Sequence, residues 1–251
     1  LTPAPAGEQA WLHVLPSPHY QTRQQRGFSR GPPTPARAES CSCSVTSQGI
    51  LDLFRKVFVF PRASNDSYVI LKPKPEQPLQ NFTVCLRSYT DLPRPYALFS
   101  YATKAYDDEI LLFKSSSREY RLYVGGEFVT FRVPETHMDW EHVCAGWESA
   151  TGIAELWVNG KPLPRKGLRK GYSVSTEAVI ILGQEQDSFG GGFDLYNSFT
   201  GEMTDVYMWD HVLYNMQSIM WGGSFSRYIF GWNNLHYELV GDVFLKRRLL
   251  F

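Results

Sequence analysis

From residue 56 onward the chain is a succession of short runs of β-branched and aromatic residues separated by turn formers, at 56–60, 68–71, 82–89, 97–101, 110–113, 120–124, 128–133, 143–147, 153–158, 179–182 and 206–209. Runs of this length and composition predict strands. Their regular spacing predicts an all-β chain folded as a two-sheet sandwich. Gly125-Gly126 sits between two runs and Asn159-Gly160 ends another, and both pairs suit the positive φ angles of tight hairpin turns. One stretch differs: 214–221, closed by Gly222-Gly223, predicts a short helix with a glycine stop.

The first fifty residues hold seven of the sixteen prolines but only three of the thirty-seven aromatics. That segment has little to bury. Residues 1–53 are therefore expected to be an extended or disordered lead-in, and 54–251 the folded domain. The lead-in has no apolar stretch of the secretory kind, so location is not legible from it. Twenty-five basic residues balance twenty-five acidic ones, which removes the long-range field that nucleic-acid binding uses. No apolar run approaches the roughly 18 residues of a membrane-spanning helix.

Cys85 and Cys144 both fall in predicted core strands. Spacing alone leaves two readings open, a disulfide or two buried free thiols. Cys41 and Cys43 lie in the lead-in without metal-site companions. Asn65-Asp66-Ser67 and Asn81-Phe82-Thr83 satisfy the glycosylation sequon, and Asn81 is the preferred acceptor if the chain is secreted.

Two acidic groups carry the chemistry. Asp107-Asp108-Glu109 forms a knot before one predicted strand, and Glu185, Asp187, Asp194 and Asn197 surround a run of three glycines, 190–192. The glycines let the backbone fold back so that these side chains converge, with carbonyl oxygens between them. Hard oxygen ligands at irregular spacing, with no His or Cys among them, suit calcium better than zinc. If the two groups meet, Asp107, Asp108, Glu185, Asp187 and Asp194 form a crowd of five carboxylates that two calcium ions would nearly neutralise. Ions with incomplete coordination could capture a phosphate or a polyol. The competing reading is a solvated turn and an acidic loop on a structural sandwich. A glycoside hydrolase on a jelly-roll is the enzymatic alternative, but the third acid of a Glu-x-Asp-x-Glu arrangement is Phe189 here. The six histidines show no metal spacing, and no nucleophile elbow or phosphate loop is present. A binding protein, not an enzyme, is the expectation.

Over residues 55–246 the sequence resembles the short pentraxin family. The resemblance rests on Lys56-Val57-Phe58-Val59-Phe60-Pro61, on 178–191 with its Gly183-Gln184-Glu185-Gln186-Asp187-Ser188-Phe189-Gly190-Gly191 core, and on His142-Val143-Cys144-Ala145-Gly146-Trp147-Glu148-Ser149. The last block is similar to the family's identifying motif and departs from it at Gly146, where the family has Ser or Thr. The match leans toward the family's phosphorylcholine-binding branch.

The resemblance implies a flattened jelly-roll (lectin-like) sandwich, a Cys85–Cys144 disulfide, secretion, cyclic pentamers and two calcium ions per subunit. Carried over by position, the first ion would be held by Asp107, Asp108, Glu185, the Gln186 carbonyl and Asp187. The second would share Glu185 and Asp187 and add Asp194 and Asn197. Asp108 replaces the family's Asn. Asn197 replaces a Gln one methylene longer, which implies a weaker second site. The implied function is calcium-dependent, multivalent recognition of phosphoethanolamine, phosphorylcholine or acidic sugars, of the innate-immunity and acute-phase type.

Phe113 corresponds to the aromatic wall of the ligand pocket. Tyr123 places a bulky ring where the phosphorylcholine-binding branch has a small residue, and Phe128 stands where that branch has an acid. The implied pocket therefore favours phosphoethanolamine or acidic sugars. Complement and Fc-receptor docking is implied for the opposite face, although 214–221 departs from the family's helix there.

Overall fold

A computed structural model describes residues 53–73, 75–134, 139–213 and 228–249. Two antiparallel sheets form a sandwich. Sheet A runs in the order β10 (Lys161–Pro162), β9 (Ile153–Val158), β8 (Glu141–Glu148), β3 (Asn81–Tyr89), β13 (Gly201–Trp209), β1 (Lys56–Phe60) and β16 (Phe244–Arg247). Within it β11 (Lys166–Gly167) also pairs with β9, and β14 (Tyr228–Phe230) with β13. Sheet B runs β15 (Tyr237–Val240), β2 (Tyr68–Leu71), β12 (Ala178–Leu182), β4 (Tyr96–Thr103), β5 (Ile110–Ser116), β6 (Glu119–Val124) and β7 (Glu127–Arg132).

Each sequence-predicted run falls on one of these strands, Val133 alone lying one residue past the end of β7, and several strands extend beyond their run by one to five residues. The run at 206–209 is the second half of β13, whose first half alternates polar residues with Met203. Five short strands, β10, β11, β14, β15 and β16, carry too little apolar signal to stand out. The helix expected over 214–221 lies outside the described residues, as do 1–52 of the expected lead-in. Leu53 is fully buried, and its carbonyl accepts hydrogen bonds from the Trp232 indole at 2.9 Å and the Lys56 amide at 3.0 Å. The packed domain thus includes Leu53.

The period-two pattern puts Phe82, Val84 and Leu86 of β3 and Leu112, Tyr120 and Leu122 of β5 and β6 into one buried core between the sheets. Burying each such side chain contributes roughly 1.5–3 kcal/mol before entropy is counted. One polar tie crosses that core: Lys114 of β5 donates to both carboxylate oxygens of Glu141 on β8, at 2.9 and 3.0 Å, and Tyr120 donates to the same carboxylate. The two predicted hairpin turns have positive φ at both residues: Gly125 and Gly126 at 56° and 79°, Asn159 and Gly160 at 49° and 74°.

On the outer face of sheet A, Cys85 and Cys144 stand directly opposite each other across the β3–β8 pair and are joined as a disulfide. Trp209 and Leu213 bury it. His142 lies two residues before Cys144 on the same face, its Nε2 at 3.6 Å from the Cys144 sulfur. Burial, with the Arg87 charge adding to it, lowers the His142 pKa to about 4. Because the folded value lies below the unfolded value near 6.5, this contribution to stability is complete above pH 6.5 and is lost as pH falls toward 4. The loss amounts to about 3 kcal/mol. Urea denaturation of the wild type and of His142→Gln at pH 7 and pH 4 should show the variant losing less between the two; parallel losses would contradict the assignment.

Asn81 opens β3, half-buried and opposite Glu148, while Thr83 of its sequon is buried with its hydroxyl donating to the His211 carbonyl at 2.8 Å. Asn65 stands exposed on the β1–β2 connection.

Candidate functional site

The outer face of sheet B carries the acids. Strand β12 ends at Leu182, and the following segment folds back over its own sheet, anchored by the Gln186 side chain. That amide is fully buried and donates to the Ser100 carbonyl at 3.2 Å, the Ser100 hydroxyl at 3.1 Å and the Val179 carbonyl at 3.0 Å, and its Oε1 accepts from the Gly190 amide at 2.9 Å. In an extended segment neighbours point to opposite sides. With Gln186 turned into the sheet, Glu185 and Asp187 face away from it together.

Gly192 brings the loop back. Its φ is +76°, and a Cβ there would meet the Asp187 Cβ at 2.9 Å, so only glycine lets the chain return across Asp187. The return leads into a 3-10 turn, Leu195–Asn197, capped by Asp194, whose Oδ1 accepts from the Tyr196 amide at 2.9 Å. Residues three apart eclipse in such a turn. Asp194 and Asn197 therefore share one side, and the Asn197 side chain favours the charged form of Glu185.

Arg94, from the β3–β4 connection, holds this turn from beneath: its Nη1 donates to the Tyr196 carbonyl at 2.8 Å and the Ser198 carbonyl at 2.6 Å. Tyr68 packs on Phe193, with ring centroids 4.5 Å apart.

The earlier knot arrives on the β4–β5 connection. Gly125 donates its amide to the Glu109 carbonyl at 2.9 Å and Gly126 to the Asp108 carbonyl at 3.0 Å, which staples the β6–β7 turn to the knot. Glu109 is not part of the acidic surface. It is fully buried and accepts from the Tyr172 hydroxyl, at 2.9 and 3.1 Å, and from the Ser175 amide at 2.9 Å. Anchored in this way, Glu109 fixes the backbone that presents Asp107 and Asp108.

The two acidic groups meet. Asp108 feels Asp107 and Asp187, Glu185 feels Asp108, Asp187 and Asp194, and Asp187 feels Asp107 and Asp194. Burial first and these like charges second raise the Asp108 pKa to about 6 and that of Glu185 to about 7, and raise that of Asp187 for the same reasons. The Glu185 Oε2 is buried and accepts no hydrogen bond. A buried carboxylate oxygen without a donor is costly and marks a place that a cation would satisfy. The donor set, carboxylates and amide or peptide carbonyls, fits a hard oxygen-seeking cation such as calcium.

Among the described residues, no three carboxylates bring an oxygen each within 4.8 Å of one another; Cys85, His142 and Cys144 do, but those two sulfurs are bonded to each other.

Beside the acids lies a small apolar cluster. Phe113 packs with Ala97 and Leu111 on the outer face of sheet B, and Tyr123 covers them. Tyr123 feels Asp108 and Glu185, which puts the ring at the border between the apolar wall and the acids. Phe128 stands opposite Tyr123 in the β6–β7 pair, ring centroids 4.8 Å apart. Glu127 is opposite Val124 and is held by Arg169 at 2.9 Å, so the turn keeps the plain register and no acid joins the wall from β7.

Sequence reasoning named the acids, Asn197, Phe113 and Tyr123. It missed Arg94, Glu109, Tyr172, Ser100 and the role of the Gln186 side chain. Apart from Gln186 and Glu109 these lie far in sequence from the segments they fix, and the partners of Arg94 are backbone carbonyls that leave no mark in a sequence.

Known proteins extend the same pattern. The Pentaxin family model matches residues 56–247. Serum amyloid P-component of Cavia porcellus is 54% identical over 200 residues, covering 79% of this chain and 90% of that protein. Human C-reactive protein is 51% identical over 205 residues, covering 80% and 92%. The native heptameric SAP-like pentraxin from Limulus polyphemus superposes with a TM-score of 0.69 at 24% identity, over 79% of this chain and 97% of that one, a likeness of fold. With the family model spanning all but the ends of the folded domain, and about half of the aligned residues shared with serum amyloid P-component and C-reactive protein, the chain belongs to the pentraxin family.

Proposed function

We propose that this chain is a secreted, calcium-dependent recognition protein of innate immunity that binds phosphate-bearing head groups or acidic sugars and performs no turnover. The observation that carries the reading is the buried, hydrogen-bond-free Glu185 Oε2, which feels the charges of Asp108, Asp187 and Asp194 beside an aromatic wall. Asp107, Asp108, Glu185, the Gln186 carbonyl and Asp187 would hold one calcium ion. Glu185, Asp187, Asp194 and Asn197 would hold a second. Calcium, when bound, supplies open coordination positions to phosphate or carboxylate oxygens of a ligand.

The chain's own residues do the rest. Gln186 and Ser100 hold the loop on the sheet, Arg94 holds the turn that presents Asp194 and Asn197, and Glu109 fixes Asp107 and Asp108. Phe113 and Tyr123 would pack against the body of the ligand, and the Tyr123 ring narrows the space for a trimethylammonium group, which places phosphorylcholine behind phosphoethanolamine. A homo-oligomeric ring, a pentamer in the simplest case, would turn weak single contacts into tight attachment to a dense surface, since later contacts become nearly intramolecular. Complement or Fc-receptor recruitment would depend on the surface around 214–221, outside the described residues.

The test is retention on agarose bearing phosphomonoesters. The protein should bind in millimolar calcium and elute with a chelator; retention indifferent to the chelator, or none in calcium, would contradict the reading.

A further inference from the structure

Arg121 stands in the middle of the wall. Period two places it on the same face of β6 as Tyr123, and pairing sets it opposite Phe113 on β5 and Thr130 on β7. Its guanidinium carbon lies 5.0 Å above the centre of the Phe128 ring, and its charge acts on the Tyr123 hydroxyl. Among the described residues, the one carboxylate within 4 Å of it, that of Glu119, approaches Nε at 3.5 Å, beyond a good hydrogen bond, and is also engaged by the Ser115 hydroxyl at 2.8 Å. Nε itself is buried and makes no hydrogen bond. Glu127, the acid nearest in sequence to the wall on β7, is turned away to Arg169. A ligand whose phosphate is held at the acid cluster and whose other end lies along Phe113 and Tyr123 would meet a guanidinium.

We propose that Arg121 is the specificity-determining residue of this pocket: it seats a second acidic group, so the preferred ligands are phosphate esters or sugars that also carry a carboxylate or further anionic group, ahead of esters ending in an ammonium. The proposal rests on the calcium-dependent reading above and sharpens its ligand class. The physical basis is sign and geometry. A cationic terminus meets a like charge that Glu119, 3.5 Å from Nε, offsets only in part, whereas a carboxylate accepts the planar guanidinium fork bidentately. Phe128 beneath the guanidinium limits its freedom, so less is lost on binding.

The test compares two soluble competitors with similar reach and opposite ends, 3-phosphoglycerate and phosphorylcholine, for calcium-dependent retention of the full chain on phosphomonoester agarose. For the wild type, 3-phosphoglycerate should compete at about tenfold lower concentration, a difference of about 1.4 kcal/mol. Arg121→Gln should bring the two to within about twofold, and Arg121→Lys, which keeps the charge, should retain most of the preference. Thermal melts of both variants show whether the fold is kept. A wild type that prefers phosphorylcholine, or a ratio that Arg121→Gln leaves unmoved, would overturn the role of Arg121 alone. Failure of both competitors together with absence of calcium-dependent retention would overturn the calcium reading and this inference with it.

Discussion

Replacing Glu185 with Gln should abolish uptake of both calcium ions at once, because Glu185 is the residue placed to bridge them. Loss of a shared carboxylate from two oxygen-ligand sites is expected to weaken affinity on the order of 100-fold or more, about 2.7 kcal/mol or above. The same substitution should have the opposite effect on the calcium-free protein. There, Glu185 is a half-buried carboxylate facing Asp108, Asp187 and Asp194, with one oxygen lacking any donor. Removing its charge relieves repulsion, so the melting temperature in chelator should rise while the rise on adding calcium disappears. Melting curves with and without calcium on wild type and Glu185→Gln separate the two effects. A variant that is destabilised in chelator, or still stabilised by calcium, would contradict the placement of Glu185.

The second large effect concerns the fold. Cys85 and Cys144 are 59 residues apart in sequence and face each other across the centre of sheet A, buried beneath Trp209 and Leu213. Without the bond, the denatured chain regains the freedom of that loop, which the chain-entropy model puts at about 4 kcal/mol. The double replacement Cys85→Ala/Cys144→Ala should lose about that much in urea denaturation, a large share of the total for one domain. The proposed site on the other sheet would survive only while the sandwich does. A loss below about 1 kcal/mol would show that the strand pairing alone holds this region.

Much of this was legible in the sequence. Glu119–Val124 announces itself by strict alternation, which fits the core in only one register, whereas Asn81–Tyr89 and Ile110–Ser116, buried on both faces over most of their length, are legible as short β-branched and aromatic runs. The acids around Gly190-Gly191-Gly192 were legible as a loop that returns on itself, and the contact of a Gly192 Cβ with Asp187 gives the physical reason. The edge strands were not legible: Lys161–Pro162 and Lys166–Gly167 belong to the sheet by backbone pairing, with no buried face to mark them. Neither was the fate of Glu109, written between Asp108 and Ile110 like one more surface acid, yet folded inward to Tyr172, sixty-three residues away. Arg94 reads as a charged loop residue, and its partners are carbonyls 102 and 104 positions on. Arg121 attracts no notice until the register puts it across from Phe113.

The central claim is that the outer face of sheet B gathers two distant acidic segments into seats for divalent cations. Isothermal titration of the oxidised, chelator-stripped protein with calcium chloride tests it most directly. Two ions per chain, the second bound more weakly than the first, is the predicted result; a flat thermogram with no change in melting temperature would contradict it.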